Sequence, residues 1–392
     1  MAVDWRDLTA EHELSFQMVS QTNFDDTWGE LEGVDLSGSS IEAAYYTDER
    51  TSGKLSVVGD GWIRGSFIRI IDRIPKYGYT NVLGTYIVTD DGATWQNGVW
   101  RYELELHSSL KMLAGDLLVR PWAIAKGASA LSCMKQVLVG SGAHSMRSVF
   151  GSFGGAGDAK VTVDTSLAED KQATTAQIMA AGKSRLECMY ALSTMSNNRI
   201  DVLPHGYVSV SRYVNPHSKV PKFRIDLSDP RGVAIEGTLS RSSDWLSIPD
   251  TYAVSHKYSE QVTKDGKETT EQRELYGVAK VAASSAHSVA RRGYSIVKVE
   301  SLPELTTKTA KAATEVAQKK LAQEQVELIE WELETVYLPL WEGDVVELVV
   351  HDGNAQYRGV RKCLVKNVSI ALDTMHMQLT LKETAAGDKG DV

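Results

Sequence analysis

From residue 41 to 107, apolar and polar positions alternate in short runs separated by turn residues. Ile41, Ala43 and Tyr45 open the series, Asp48 to Gly53 reads as a loop, and Leu55-Ser56-Val57-Val58 follows. Gly59-Asp60-Gly61 supplies residues able to take positive φ. Ile63, Gly65, Phe67, Arg69 and Ile71 alternate with Arg64, Ser66, Ile68 and Ile70, a strand apolar on much of both faces. Asp90-Asp91-Gly92 reads as a hairpin turn, after which Trp100, Tyr102, Leu104 and Leu106 alternate with Arg101, Glu103, Glu105 and His107. Short strands at this spacing predict a closed or nearly closed antiparallel barrel.

The period changes at Ser108. Ser108 or Ser109 can cap a short helix through Leu118, and a second helix covers Ser129 to Val139. Residues 140–160 are Gly/Ser-rich and read as a mobile loop, and a third helical stretch runs from Thr174 to Met195 with a break near Gly182. Strand character returns at His205 to Tyr213, at Tyr252 to Tyr258 and at Tyr294 to Glu300, with a charged, solvated loop over 260–270. Thr306 and Thr307 can cap a long helix in which Ala310, Ala313, Ala317 and Leu321 recur at helical spacing. This narrow Ala stripe predicts light packing across a barrel rather than a coiled coil. From Ile329 the period is two. Ile329, Trp331, Leu333, Thr335 and Tyr337 oppose Glu330, Glu332 and Glu334, and Met375, Met377, Leu379 and Leu381 alternate in the last of four strands. Pro339 to Asp344 turns the chain into Val345 to Val350, so Gly343 and Asp344 are structural turn formers.

The fold class is therefore α+β and β-rich. Two barrel domains flank a mainly helical insertion: 1–107 with returning strands 201–245, the insertion 108–200, 246–383 with the helix of 304–326, and a flexible tail 384–392. A chain of 392 residues is long enough for this, and 42% hydrophobic with 24% charged content excludes wholesale disorder. Net charge -9 argues against a sequence-reading nucleic-acid protein but suits a non-sticky passage for DNA. Cys133, Cys188 and Cys363 form no CxxC and fit a reducing cytoplasm. The first residues lack the apolar core of a signal peptide, and no run is long enough for a membrane span.

Catalytic motifs are sparse. Ser132-Cys133-Met134-Lys135 matches S-x-x-K, but the companion S-D-N and K-T-G motifs are missing. The 9 histidines are dispersed, without H-x-H or H-E-x-x-H, and His107, His256 and His376 read as sheet residues. The glycines at 140–157 satisfy neither phosphate-loop pattern, and no G-x-S-x-G elbow occurs. Among the 9 tryptophans, Trp100 and Trp331 lie at alternating strand positions and read as core or interface, while the set as a whole leaves a sugar-binding cleft open. The expectation is no enzyme, no metal and no cofactor.

Four features taken in order resemble the hub proteins at the distal end of bacteriophage tails and related injection devices. They are Tyr45 to Arg50 with Gly53 to Val58 and Gly61-Trp62; Thr174 to Asn198 leading to Gly206-Tyr207-Val208 and Arg212 to Pro216; Ser247-Ile248-Pro249-Asp250 before Thr251 to Val254; and Tyr337 to Val346. The third is similar to an Ile-Pro-Asn element of that family, with Asp250 in place of Asn. The resemblance spans roughly residues 40 to 383. It implies a minor tail protein: a homotrimeric ring whose chains each carry two tube-like barrels, adapting a sixfold tail tube to a threefold tip and forming part of the DNA ejection channel. It implies as partners the distal tail protein or tail-tube ring, the tape measure protein, a tip, spike or fibre protein and passing dsDNA, without stable membrane insertion. The location implied is the distal tail of a virion assembled in host cytoplasm. Because the sequence stops shortly after its last strand, no appended peptidase or lysozyme domain is expected. The competing reading is a receptor- or carbohydrate-binding tail or surface protein.

Overall fold

The computed structural model describes residues 3–7, 10–20, 24–59, 65–139, 150–153, 161–173, 176–229, 232–235, 237–243, 248–264, 267–285, 287–302, 309–324, 329–351 and 357–384. The expected Gly/Ser loop over 140–160, the caps at Thr306 and Thr307 and the tail 385–392 lie wholly or largely outside these residues. The protein is β-rich, 49% strand against 17% helix, as the alternating patterns require. It divides into two compact units, built chiefly from 1–240 with 332–381 and from 241–331 with 382–388.

In chain order the elements begin with β1 (Glu13–Val19), β2 (Thr27–Glu30), β3 (Val34–Ala44), β4 (Thr51–Val58), β5 (Phe67–Ile74), β6 (Tyr79–Gln96) and β7 (Val99–His107). Next come α1 (Leu110–Gly115), β8 (Trp122–Ile124), α2 (Ala130–Val139), β9 (Phe150–Phe153), β10 (Val161–Asp164), β11 (Gln177–Met179), α3 (Arg185–Ser196), β12 (Asn198–Val202) and β13 (Val208–Arg212). They continue with β14 (Phe223–Asp226), β15 (Ser240–Ser243), β16 (Thr251–Lys264), β17 (Lys267–Lys280), α4 (Val289–Arg292), β18 (Val297–Ser301) and α5 (Ala310–Glu324). Last are β19 (Ile329–Thr335), β20 (Val345–Val350), β21 (Gly359–Ala371) and β22 (Met377–Glu383).

The first unit is organised by one large sheet with the order β22-β21-β3-β4-β7-β6-β5-β1-β2, extended by β20 on β21 and β14 on β20. Among the described residues this path does not close on itself, and the β14–β20 pair is parallel where an all-antiparallel barrel was expected. The late strands also sit elsewhere than periodicity placed them. Instead of completing a domain with 246–303, β21 pairs antiparallel with β3, Asn367 facing Ala44 and Ile370 facing Ile41. Alternation fixes which face of a strand is buried but carries no information about the neighbouring strand. β5 is buried on both faces, as its sequence requires; Arg69 within it donates to the Phe24 carbonyl at 2.6 Å and to Thr85 Oγ1 at 3.2 Å.

The middle segment, expected to be mainly helical, mixes α1, α2 and α3 with strands β8 to β12. Residues 177–179 are strand, so the helix expected from Thr174 starts only at Arg185. Gly182 at φ +86 breaks the chain, and Ser184 then forms a capping box: its hydroxyl accepts from the Glu187 N–H while the Glu187 carboxylate accepts from the Ser184 N–H. Asn197 ends the helix in the left-handed conformation. The segment's core includes Met134, Leu138, Met189, Leu192 and Ile200. Cys133 and Cys188 are buried in it, and desolvation raises both thiols, as expected of structural rather than reactive cysteines.

In the second unit β16 pairs with β17 over fourteen residues each and, in parallel, with β18. Strand pairing runs through Gln261↔Thr270 to Lys264↔Lys267, where the charge density had read as loop. α5 lies on this sheet with Ala313, Ala317 and Leu321 against Tyr252, Val254 and Ala279. The Ala stripe lets the helix come close: a Cβ built on Gly277 would fall 2.1 Å from the Ala313 carbonyl carbon. Asp250 ties the sheet's entrance together. Its carboxylate accepts from Ser295 Oγ at 2.9 Å, from Thr251 Oγ1 at 2.8 Å and from the Ile296 N–H. Burial alone would raise this carboxyl, but the hydrogen bonds from Thr251, Ile296 and Ser295 outweigh it and hold the group below the usual range.

Two outcomes follow from this packing. Gly277→Ala forces backbone against backbone, so it lowers stability by about 1–3 kcal/mol and raises amide exchange in α5; unchanged exchange would contradict the close approach. Asp250→Ala costs about 2–3 kcal/mol near neutral pH. Because the folded-state carboxyl is depressed, this contribution is present above the ordinary carboxylate range and fades as pH falls through the folded value. Thermal unfolding of wild type and variant should therefore converge in acid.

Candidate functional site

The turn at Gly343 and Asp344 is built by close contacts from several segments. Gly343 has φ +86, and a Cβ there would meet the Tyr45 ring at 3.1 Å. The Gly343 N–H donates to the Val365 carbonyl at 3.0 Å, and the Val365 N–H donates back to the Asp344 carbonyl at 2.8 Å. Asp344 Oδ2 accepts from the Trp341 N–H at 2.9 Å, and Oδ1 pairs with Lys222 Nζ at 2.7 Å. Lys219 Nζ donates to the Gly343 carbonyl at 2.8 Å. The turn thus gathers β21, the 216–222 segment and the β3–β4 connection around itself.

Beneath it lies a charged cluster that the sequence did not announce. Arg199, from β12, pairs through Nε with Asp201 Oδ1 at 2.5 Å and stacks over the Tyr45 ring at 3.6 Å from its centroid. Arg50, at φ 63, donates Nε to the Ile200 carbonyl at 3.1 Å and Nη1 to the Tyr45 carbonyl. Glu342 is 8% exposed, and its Oε2 has no hydrogen-bond partner; Arg199 Nη2 has none either. Burial, reinforced by the Asp201 charge, pushes the Glu342 carboxyl up to about 8. In the sequence Glu342 stands inside a Trp-Glu-Gly-Asp turn, where a solvated glutamate is the ordinary expectation.

Groups able to do chemistry come together elsewhere without forming a catalytic arrangement. Ser228 Oγ lies 2.9 Å from His351 Nε2, and Asp226 Oδ1 lies 3.1 Å from the same nitrogen. A relay needs the acid on the other ring nitrogen, so this imidazole cannot take a proton from Ser228 while Asp226 orients it. Ser132 and Lys135 are both exposed on α2. His107 meets Glu49 at 2.6 Å, His256 the Leu302 carbonyl at 3.0 Å and His376 Glu334 at 3.1 Å, each as a partnered residue in or beside a strand. Among the described residues no three His, Cys, Asp or Glu side chains are placed to hold a metal.

The most conspicuous surface is the β6–β7 hairpin. It turns at Asn97-Gly98, both at positive φ, rather than at Asp90-Asp91-Gly92, which β6 carries as strand past an irregularity in register between Val88 and Asp90. Asn-Gly is the stronger two-residue hairpin signal, and the reading from sequence passed over it. Trp95 and Trp100 face each other across the hairpin, ring centroids 5.2 Å apart, and are 58% and 39% exposed. With Tyr102 they continue the face on which Leu104 is fully buried, so the core side of the sheet runs out into solvent. Trp331, by contrast, is buried.

No protein-family model and no curated protein matches the sequence. Solved structures do share the fold. A tail protein from Neisseria meningitidis aligns over 95% of this chain and 96% of its own, with TM-score 0.62 at 12% identity. The 43 kDa tail protein of prophage MuSo2 from Shewanella oneidensis aligns over 97% and 100%, with TM-score 0.59 at 10% identity. A prophage tail protein from Listeria monocytogenes aligns over 94% of each chain, with TM-score 0.52 at 10% identity. The architecture described above is thus the fold of these tail proteins along nearly the full length of both partners.

Proposed function

We propose that this chain is a structural hub of a phage tail tip or baseplate. In this reading three copies close into a ring that adapts a sixfold tail tube to a threefold tip and forms part of the DNA ejection channel. Each copy carries two tube-like modules, 1–107 with 201–245 and 246–383. The observation that carries the reading is the fold shared end to end with three tail proteins, two of them from prophages. Net charge -9 suits a conduit that must not retain DNA. The partners are a distal tail protein or tail-tube ring, the tape measure protein and a tip, spike or fibre protein, and the location is the distal end of the virion tail. The role is mechanical and needs neither catalytic residue nor cofactor. The exposed Trp95–Trp100 pair is apolar surface of the kind an assembly contact buries. It also favours a second reading, a receptor- or sugar-binding face, which a glycan array would detect.

Light scattering of the purified chain, followed by negative-stain imaging, is expected to give a three-chain ring with a central hole. A monomer that also fails to bind tail-tube or distal tail protein would overturn the hub reading. The double substitution Trp95→Ser/Trp100→Ser removes exposed side chains only, so stability should move by less than about 0.5 kcal/mol. Ring formation or partner binding should weaken at least tenfold. Wild-type assembly by the double variant would exclude the hairpin as an assembly contact.

A further inference from the structure

We propose that Glu342 is a proton latch: it is neutral while the 341–344 turn is seated against β12, and its ionisation releases the seat. The inference concerns the folded chain and does not depend on the tail-hub reading.

The geometry is that of a buried carboxyl oxygen that no hydrogen-bond donor reaches. Glu342 Oε2 is buried without a partner, although Arg199 and Arg50 are both in the cluster. Arg199 is already committed, its Nε to Asp201 and its guanidinium plane to the Tyr45 ring. Arg50 is committed to the Ile200 and Tyr45 carbonyls. The groups acting on Glu342 are Arg199 and Asp201 from β12, Arg50 from the β3–β4 connection, its own backbone N–H, and Tyr86 from β6. On its own turn Asp344 is neutralised by Lys222, and Lys219 caps the Gly343 carbonyl. An ionised Glu342 in this seat would be a buried anion beside Asp201, offset in part by Arg199 and Arg50 but with no hydrogen-bond partner at Oε2, an expensive arrangement.

Burial is the largest cause of the raised carboxyl, Asp201 adds to it, and Arg199 and Arg50 oppose it, leaving a value of about 8. Once the turn opens, the carboxyl is solvated and returns to the ordinary range, so opening releases one proton to solvent. A group whose folded-state value is raised this way favours the closed seat at low pH. That advantage shrinks as pH rises from the ordinary carboxyl range and is gone above about 8. Over that window the opening constant grows about tenfold per pH unit. The latch joins the entry to β20 of the large sheet with β12 of the middle segment, so its opening loosens the hold of one on the other.

The test is amide hydrogen exchange of the intact chain between about pH 5.5 and 8, corrected for intrinsic exchange rates. In wild type, peptides covering 341–344 and 198–202 should show the opening constant rising about tenfold per unit. Glu342→Gln keeps the shape of the neutral acid and should hold it flat. Glu347→Gln, at a half-buried strand position beside Arg224, should keep the wild-type slope. Carbonyl-13C labelling of glutamate gives a readout that no folding defect of a variant can mimic: one wild-type carboxyl should titrate above pH 7 and vanish in Glu342→Gln. Equal slopes in wild type and Glu342→Gln, or no glutamate titrating above pH 7, would overturn the proposal.

Discussion

The pairing of β21 with β3 is the constraint on which the first unit depends. It joins Asn367 to Ala44 and Ile370 to Ile41, so the last strands of the chain complete a sheet begun by the first. A contact of such sequence separation forms only after a large loop-closure cost has been met, and every residue between must be looped out of its way. Once formed, it sets β20 beside β21, and the turn before β20 is then carried to Tyr45, at the end of β3. The Gly343 turn, the Arg199 stack and the seat of Glu342 all follow from one register. That is why residues from 45, 199, 219 and 342 meet although no local pattern relates them.

Polar groups inside this sheet divide by whether their partners are provided. Arg69 and Asp250 are buried in different units, and each finds hydrogen bonds that offset its desolvation. Asp72 accepts from His12 at 2.9 Å through one oxygen, while its other oxygen has no partner. Glu342 has lost water without gaining a hydrogen bond at Oε2, and Arg199 and Arg50 offset its burial only in part. A buried charge with matched donors rigidifies its surroundings, whereas one without them is held neutral and becomes responsive to pH.

Much of the local structure was legible. The alternation at Met377, Leu379 and Leu381 gave a strand with those residues buried, and the Ala stripe gave a helix packed through its alanines, on a three-stranded sheet where a barrel was expected. These signals lie within a few residues of one another, where periodicity is informative. The failures share a cause. Residues 260–264 and 267–270 read as loop because charge density was weighed above pairing, yet a long hairpin needs only a partner of equal length. Residues 177–179 looked helical until Gly182 and the Ser184 box set the start of α3. The Asn97-Gly98 turn was overlooked for a run of aspartates two residues richer in turn character. The partition of the late strands and the charged cluster could not be read at all, because both are consequences of β21 meeting β3.

The distribution of reactive side chains bears on how such a fold acts. Ser228, His351 and Asp226 touch, but through one ring nitrogen; Asp250 is spent on Ser295, Thr251 and Ile296; the cysteines are buried and desolvated. The groups that would carry chemistry are thus engaged in holding strands and turns. What faces solvent instead is Trp95 and Trp100 on a hairpin that extends the core face of its sheet beyond the core. That face leaves apolar area in solvent which a covering surface would bury favourably.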